Sequence, residues 1–271
     1  MPSLRQTITM DLNLSGKRAL VAGSTQGIGK ASAIEIAGLG ASVTLIARNE
    51  EKLRKVLDLL PKAKGQEHDY IVADFSQPDQ LRSRVLDYLS RGNSFQILLN
   101  NTGGPPGGPA IDAKLDEFQQ AFSNHLLCNH ILVQAAVPGM KEASYGRIIN
   151  IISTSVKQPL PGLGVSNTIR GAVANWAKTL ANELGQYNIT VNNVLPGATM
   201  TSRLESIIST KSESLGLDKE QVLKQMAQAV PMKRVAQAHE IAAAVAFLAS
   251  PAASYINGIN VPVDGGRTTS L

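Results

Sequence analysis

Strand-like and helix-like segments alternate along almost the whole chain. Short apolar, β-branched runs such as RALVAG (18–23) and ASVTLIAR (41–48) are each followed by a helical pattern. The same order continues through GRIINIIS (146–153), ITVNNVLPG (189–197) and GINVPVDGG (258–266). Strict alternation of this kind predicts parallel strands joined by crossover helices. We therefore expect an α/β fold with a doubly wound parallel sheet, the Rossmann fold, and helices on both faces.

The composition is typical of a globular protein with a core of small and branched side chains. Hydrophobic residues make up 43% of the 271 residues and aromatic residues only 4%, so Ala, Val, Ile and Leu must form the core. No linker or change of composition interrupts the alternation. We predict a single Rossmann-type domain over residues 1–271, with a loose tail at 1–13.

Charge and cysteine content limit the classes of function. The net charge is +5, but the Lys and Arg residues are scattered, which argues against nucleic-acid binding. The single cysteine, Cys128, excludes an internal disulfide and a Cys-based zinc site, and we predict no metal site. The N-terminus lacks an apolar signal segment, and the longest apolar run (241–249) is too short to cross a bilayer. We expect a cytoplasmic protein that binds neither nucleic acid nor membrane.

A glycine-rich loop, AGSTQGIGKA, joins the first strand to the first helix. Gly23, Gly27 and Gly29 have the spacing G-x-x-x-G-x-G. Glycines allow the backbone to turn sharply and to approach a pyrophosphate at a helix N-terminus. A tight structural turn is the alternative, but the position between strand and helix favours a dinucleotide site.

Several motifs together resemble those of the short-chain dehydrogenase/reductase family. The glycine loop is similar to the family's T-G-x-x-x-G-x-G, with Ala22 in place of Thr. LLNNTGG (98–104), NNVLPGATMT (192–201) and GINVPVDGG (258–266) resemble its N-N-A-G, N-x-V-x-P-G-x-x-x-T and D-G-G segments. The resemblance covers about residues 14–266. It implies a carbonyl or alcohol substrate and a homotetramer or homodimer, with the helix at 165–187 between subunits.

The end of the second strand bears on the choice of nicotinamide cofactor. No carboxylate follows this strand directly, and Arg48 could bind the 2′-phosphate of NADP. An ordinary surface arginine is the alternative, and Gln26 stands where NADP-preferring relatives often carry a second Arg. We predict NADP(H) rather than NAD(H), without excluding the latter.

By resemblance, the cofactor-binding residues extend from the glycine loop to the segment after the sixth strand. Asp74 could instead cap a helix. The full set is Gly23, Ser24, Thr25, Gly27, Ile28, Gly29, Arg48, Asp74, Phe75, Asn101, Thr102, Gly103, Arg170, Pro196, Gly197, Thr199 and Thr201.

The family's catalytic residues are largely replaced in this chain. In the family, a tyrosine protonates the substrate, a lysine four residues later lowers its pKa, and a serine about 13 residues earlier polarises the carbonyl. An asparagine on an earlier helix supports a water relay. The matching positions here are Ser153 for the serine, Ser166 for the tyrosine, Arg170 for the lysine and His125 for the asparagine.

These replacements change the expected proton transfer. The Ser166 hydroxyl is a much weaker acid than a phenol, and the Arg170 guanidinium keeps its charge but does not release a proton. His125 is the nearby side chain whose ordinary pKa suits proton donation, unless it is a helix histidine bonded to a backbone carbonyl. We predict a weakly active NADP-dependent reductase of a ketone, for example a 3-oxoacyl compound. A catalytically impaired dinucleotide-binding protein, acting as a sensor or partner subunit, is the second hypothesis.

Two segments are expected to lie on the substrate side. The Gly/Pro loop GGPPGGPAIDA (103–113) follows the fourth strand, and ligands of open α/β sheets bind at that edge; a loop without a ligand role is the alternative. The insertion at about 201–232 reads as two short helices and resembles the family's substrate lid. Its apolar residues either line a pocket or form the core of this small helical lid. Its Arg203, Lys211 and Lys233 would suit an anionic substrate, or are ordinary solvated charges.

Overall fold

Seven parallel strands form the central sheet of the computed structural model, which describes residues 10–270. The strands are β1 (Arg18–Ala22), β2 (Ser42–Ala47), β3 (Asp69–Val72), β4 (Ile97–Asn100), β5 (Gly146–Ile151), β6 (Ile189–Pro196) and β9 (Asn260–Val263). They lie in the order β3-β2-β1-β4-β5-β6-β9. The order changes direction between β1 and β4, and ligands of such sheets bind outside the strand ends at this point.

Helices cover both faces of the sheet, so the predicted doubly wound α/β fold is confirmed. They are α1 (Gly27–Gly38), α2 (Glu50–Leu57), α3 (Pro78–Ser90), α4 (Leu115–Phe122), α5 (Cys128–Glu142), α6 (Gly164–Leu184), α7 (Ser202–Leu215), α8 (Lys219–Gln228) and α9 (Ala238–Ala249). The apolar cluster on one face includes residues of α1, α2 and α9, and that on the other includes residues of α3, α5 and α6. Alternate β1 residues divide between the faces, with Val21 in the first cluster and Leu20 in the second.

The structure refines several predicted boundaries. The sequence pattern of residues 116–140 predicts one long helix, which the structure divides into α4 and α5 by a π-helical segment, Ser123–Leu127. Of the predicted tail, residues 1–9 lie outside the described part of the chain, and residues 10–13 have no helix or strand. The side chain of Leu14 is already fully buried.

A row of asparagines, three of them buried and Asn260 half-buried, crosses the sheet through β4, β5, β6 and β9. Asn100 Nδ2 donates to Asn150 Oδ1 at 2.8 Å, and Asn150 Nδ2 donates to Asn193 Oδ1 at 2.9 Å. Asn193 Nδ2 then donates to Asn260 Oδ1 at 2.8 Å. Because these residues are also direct register partners, the amides fix how β4, β5, β6 and β9 are aligned.

The insertion after Thr201 forms the two short helices that the sequence predicted, α7 and α8. Leu204 and Ile208 of α7 pack on Val222 of α8, so these apolar residues form the core of the segment; Leu215 is exposed. The short strands β7 (Thr199–Met200) and β8 (Ala236–Gln237) pair at its base. The two helices are therefore held together by their own contacts and joined to the main sheet at one end.

Within residues 10–270, no helix is long and apolar enough to cross a membrane. The same residues contain no group of three or more His, Cys, Asp or Glu side chains arranged to hold a metal ion.

Candidate active site

The glycine loop lies at the crevice between β1 and β4. Gly23 and Gly27 have positive φ angles of +59° and +53°. An added Cβ at Gly23 would lie 2.4 Å from Asn101 O, and one at Gly29 would lie 2.2 Å from Gly23 O. The Asn101 side chain donates to the carbonyls of Ala22 and Gly23, both at 3.3 Å. These close approaches require glycine and join the loop to the end of β4.

The loop also leaves polar groups available to an anionic ligand. Helix α1 begins at Gly27 without a side-chain hydrogen bond from its N-cap residue, Gln26. Its first N–H groups therefore point out of the helix end, where the helix dipole is positive. Ser24 is fully buried, and its Oγ has no hydrogen-bond partner among the described residues. This set of free donors fits the pyrophosphate of a dinucleotide.

Arg48 and Asp74 lie just beyond the carboxyl ends of the neighbouring strands β2 and β3. Arg48 is exposed and forms none of the ion pairs found within residues 10–270. The Ser76 N–H donates to Asp74 Oδ1 at 2.9 Å and, with a smaller effect of Arg48, keeps the pKa of Asp74 below its ordinary value. Asp74 does not cap the following helix, because the N-cap of α3 is Gln77. The neighbouring Phe75 is half-buried, and its carbonyl accepts from Cys128 Sγ.

The segment 196–201, which begins with the last residue of β6, connects the sheet to α7. A Cβ at Gly197 would lie 2.7 Å from Asp264 Cα, so the C-terminal D-G-G segment packs directly against this glycine. Thr201 accepts from the N–H of Leu204 at 3.4 Å and thus caps α7. Its methyl group lies beside Gly27, so the start of α7 meets the glycine loop.

Ser153 follows the carboxyl end of β5, and Arg170 is bonded to the last residue of that strand. Ser153 Oγ accepts from the N–H of Ser155 at 3.1 Å, which leaves its own O–H free to donate. Arg170, on α6, donates from Nη1 to the carbonyl of Ile151, the last residue of β5, at 2.9 Å. Ser166 lies one turn before Arg170 and is half-buried. The predicted register therefore places a serine and a cation at one strand end.

Arg170 retains a buried positive charge in the position expected of the family's lysine. The residue is 7% exposed, and burial, with a smaller effect of Arg203, lowers the pKa of its guanidinium to about 10. This value is still far above neutrality, so the group remains charged. Among the described residues, no carboxylate forms an ion pair with Arg170.

His125 lies in the π-helical segment and faces the end of β4. Its Nδ1 is 2.5 Å from Thr102 Oγ1, and the residue is 2% exposed. Burial, and then the charge of Arg170, lowers the pKa of His125 to about 2. The expectation that His125 has a pKa suited to proton donation is therefore wrong, because its buried ring is neutral at physiological pH. Its partner is also the Thr102 hydroxyl rather than a backbone carbonyl.

A cleft of about 310 Å³ lies between the Gly/Pro loop and α4. Residues 103–106 form one wall, and Gln120, Asn124 and His125 lie along the other. The far part of the loop is bonded to the start of α6, since the Gly164 N–H donates to Gly108 O at 2.9 Å. The loop that forms one wall of the cleft is therefore attached to the helix that carries Ser166 and Arg170.

Three features were not foreseen from the sequence. Two of these features are contacts: the Thr102–His125 hydrogen bond and the bond from Arg203 Nη2 to Pro105 O at 2.6 Å. The third is not a contact and lies outside the cleft lining: the buried Ser155 Oγ has no partner among the described residues. The first two join residues far apart in the chain, and no spacing rule predicts them. Ser155 had a weak signal, as a small polar residue in the Ser-Thr-Ser sequence that follows a buried strand.

Comparison with known proteins places the chain among reductases and dehydrogenases of this fold. A family model described as enoyl-(acyl carrier protein) reductase matches residues 22–268. The chain is 36% identical to glucose 1-dehydrogenase of Gluconobacter oxydans, over 94% of this chain and 92% of that protein. It is 31% identical to the NADPH-dependent reductase BacG of Bacillus subtilis, over 95% and 100%. The structure of L-sorbose reductase from Gluconobacter frateurii with NADPH and L-sorbose superposes with a TM-score of 0.90 at 30% identity, covering 97% of this chain and 100% of that one.

Proposed function

Because this chain belongs to the short-chain dehydrogenase/reductase family, we propose that it reduces a ketone with NADPH through a modified set of catalytic groups. The observation that carries the proposal is a buried, charged Arg170 that donates to the carbonyl of Ile151, the last residue of β5, two residues before Ser153. The proposal assigns a catalytic role to this pair although the family's tyrosine is absent.

The glycine loop supports a dinucleotide cofactor, and Arg48 supports NADP(H). The buried Ser24 hydroxyl and the free N–H groups of α1 suit a pyrophosphate, and the exposed Arg48 guanidinium suits a 2′-phosphate. Two relatives named above are described with NADPH. When bound, NADPH supplies a hydride to the carbonyl carbon of the substrate.

Ser153 and Arg170 stabilise the negative charge that develops on the carbonyl oxygen. The Ser153 hydroxyl donates a hydrogen bond, and Arg170 provides a fixed positive charge in a site of low polarity. Fixed donors of this kind typically contribute about 10²–10³ in rate.

Ser166 then delivers the proton by relay from water. A hydroxyl can give its proton to the carbonyl oxygen while it accepts one from water, so no stable alkoxide is needed. The relay is less effective than a tyrosine of lowered pKa, and we expect slow turnover. His125 acts as a positioning residue, because its neutral ring holds Thr102 at the end of β4.

The proposal is tested by NADPH oxidation in the presence of acetoacetate, methyl acetoacetate and other small ketones. We expect measurable turnover by the native protein and a loss of about 10²-fold in kcat for Ser153→Ala, since one donor to the oxyanion is removed. The double variant Ser166→Tyr/Arg170→Lys serves as a comparison with the family's usual pair. NADPH binding without turnover by the native protein, together with activity gained by the double variant, would contradict the proposal and support the impaired binding protein.

A further inference from the structure

The segment 103–107 of the Gly/Pro loop is held by few contacts. Its sequence is Gly-Gly-Pro-Pro-Gly, and of these residues only Pro105 is buried. Within residues 10–270, one hydrogen bond reaches the segment, from Arg203 Nη2 to Pro105 O at 2.6 Å. Residues 103–106 form one wall of the cleft. Apart from the packing of Pro105, the position of this wall therefore rests on that single bond.

The donor of this bond belongs to a different part of the fold. Arg203 lies in the first turn of α7, a helix that packs mainly on α8 and β7. Its guanidinium also lies along Gly104, where an added Cβ would be 3.5 Å from Nε. A charged donor at this short distance forms a stronger hydrogen bond than a neutral one. Arg203 is therefore a direct link between the α7–α8 segment and the Gly/Pro loop.

The next part of the loop is bonded to the start of α6. The Gly108 N–H donates to Gly162 O at 2.8 Å, and the N–H of Gly164, the first residue of α6, donates to Gly108 O at 2.9 Å. A Cβ at Gly164 would lie 2.4 Å from Ala110 N, so the helix start and the loop backbone are in contact. Ser166 follows two residues later on α6. The position of the loop therefore bears on the position of Ser166.

These contacts form a continuous series from α7 to the start of α6. Between the Arg203 bond and the bonds at Gly108 lie only the residues 105–107. Two prolines restrict the backbone there, whereas the two glycines before them leave it free to turn. Without the Arg203 bond, the segment gains freedom at its glycines, and its motion reaches Gly108 through the stiffer proline pair.

We propose that Arg203 is a positioning residue for the reduction: by holding Pro105, it keeps the Gly/Pro loop against α6 and so keeps Ser166 in place. The assignment rests on the proposed function, in which Ser166 delivers the proton. A misplacement of about 1 Å can cost about 10²-fold in rate, so a contact remote from the reacting atoms can control turnover. The α7–α8 segment thereby takes part in catalysis through the loop that it holds.

Hydrogen–deuterium exchange tests the link between Arg203 and α6 without requiring turnover. In Arg203→Gln, the amides of Gly108 and Gly164 should exchange at least about fivefold faster than in the native protein, because the charged donor that holds the loop is lost. Lys224→Gln removes an exposed lysine charge from α8 and should leave both amides at the native rate. Unchanged exchange in Arg203→Gln, or faster exchange confined to α7, would overturn the inference.

Steady-state kinetics with NADPH and the fastest-reacting small ketone test the consequence for Ser166. In Arg203→Gln we expect kcat to fall at least about fivefold and the NADPH Kd to stay unchanged, since proton delivery rather than cofactor binding is affected. Arg203→Lys, whose ammonium can still donate to Pro105 O, should recover about half of the native kcat. A native kcat in Arg203→Gln, or a loss of NADPH affinity alone, would contradict the positioning role. If the native protein reduces no ketone, the proposed function fails, and the exchange rates decide whether Arg203 holds the loop on α6.

Discussion

At the residue scale, close backbone approaches determine the geometry of the glycine loop. An added Cβ at Gly29 would overlap the carbonyl of Gly23, whereas one at Gly38 in the same helix would meet nothing within 4 Å. We expect Gly29→Ala to lower the free energy of unfolding by about 2 kcal/mol and to weaken NADPH binding more than tenfold, because the loop must shift. Gly38→Ala should leave both nearly unchanged. Urea denaturation measures the change in stability, and NADPH fluorescence titration measures the change in affinity. Equal changes in Gly29→Ala and Gly38→Ala would contradict the assignment of the glycine loop to the cofactor site.

Arg48 offers a test of cofactor choice. If its guanidinium binds the 2′-phosphate, Arg48→Gln should raise the Kd for NADPH about tenfold and leave the Kd for NADH unchanged, because NADH lacks that phosphate. Arg82→Gln, which removes an exposed charge on α3, is the matched control. A similar loss for both cofactors would show that Arg48 is an ordinary surface residue.

The buried ring of His125 makes stability depend on pH. Its pKa is about 2 in the folded protein and about 6.5 when unfolded, so the unfolded chain takes up a proton that the folded one does not. The contribution of the neutral His125 ring to the free energy of unfolding is fully present above the pKa that this residue has in the unfolded chain. The contribution decreases as the pH falls below that value. Between pH 7 and pH 5 the native protein should lose about 2 kcal/mol more than His125→Asn. His239→Asn, an exposed histidine, is the control, and equal losses in all three proteins would show that His125 titrates normally.

Spacing along the chain predicted some site residues and could not predict others. Ser153 and Arg170 were identified from a strand, a helix and a fixed separation; Ser153 follows β5, and Arg170 donates to the carbonyl of its last residue. Their catalytic roles stay predictions. The pairing of Thr102 with His125 depends on how α4 and α5 pass the end of β4. Burial changes the pKa of His125, and a single sequence does not reveal how deeply a helix residue is buried.

At the element scale, the π-helical segment is the main departure from the predicted helices. The sequence of Ser123–Leu127 is compatible with an α-helical turn and with a π-helical turn, in which the hydrogen bonds span one residue more. The periodicity of apolar residues therefore could not predict the π-helical turn. π-helical segments often occur at functional sites. Here the segment carries His125 to the end of β4.

The asparagine row is a second feature of the elements, and it yields a stability prediction. Asn150→Ala would leave the Nδ2 of Asn100 and the Oδ1 of Asn193 without partners inside the sheet. Two unsatisfied buried groups should lower the free energy of unfolding by about 2–5 kcal/mol. Asn175→Ala, at an exposed site on α6, should change it by less than about 0.5 kcal/mol. Urea denaturation followed by Trp176 fluorescence distinguishes the two, and a small effect of Asn150→Ala would show that the row is dispensable.

At the scale of the whole molecule, alternation and strand composition were sufficient to predict the parallel sheet. Each helix and strand must bury an apolar face against a neighbouring element. Few folds allow this for a chain in which strands and helices strictly alternate. The assembly into a homotetramer or homodimer through α6 stays a prediction, and sedimentation equilibrium would measure it.

The central claim is that this fold still completes a reduction although serine and arginine replace the family's tyrosine and lysine. The most direct measurement incubates the native protein with NADPH carrying two deuterium atoms at C4 and with acetoacetate, followed by mass spectrometry of the product. The account predicts an alcohol one mass unit heavier than with unlabelled NADPH, formed slowly and far less in Ser153→Ala. Bound NADPH without labelled alcohol from any ketone tested would contradict it.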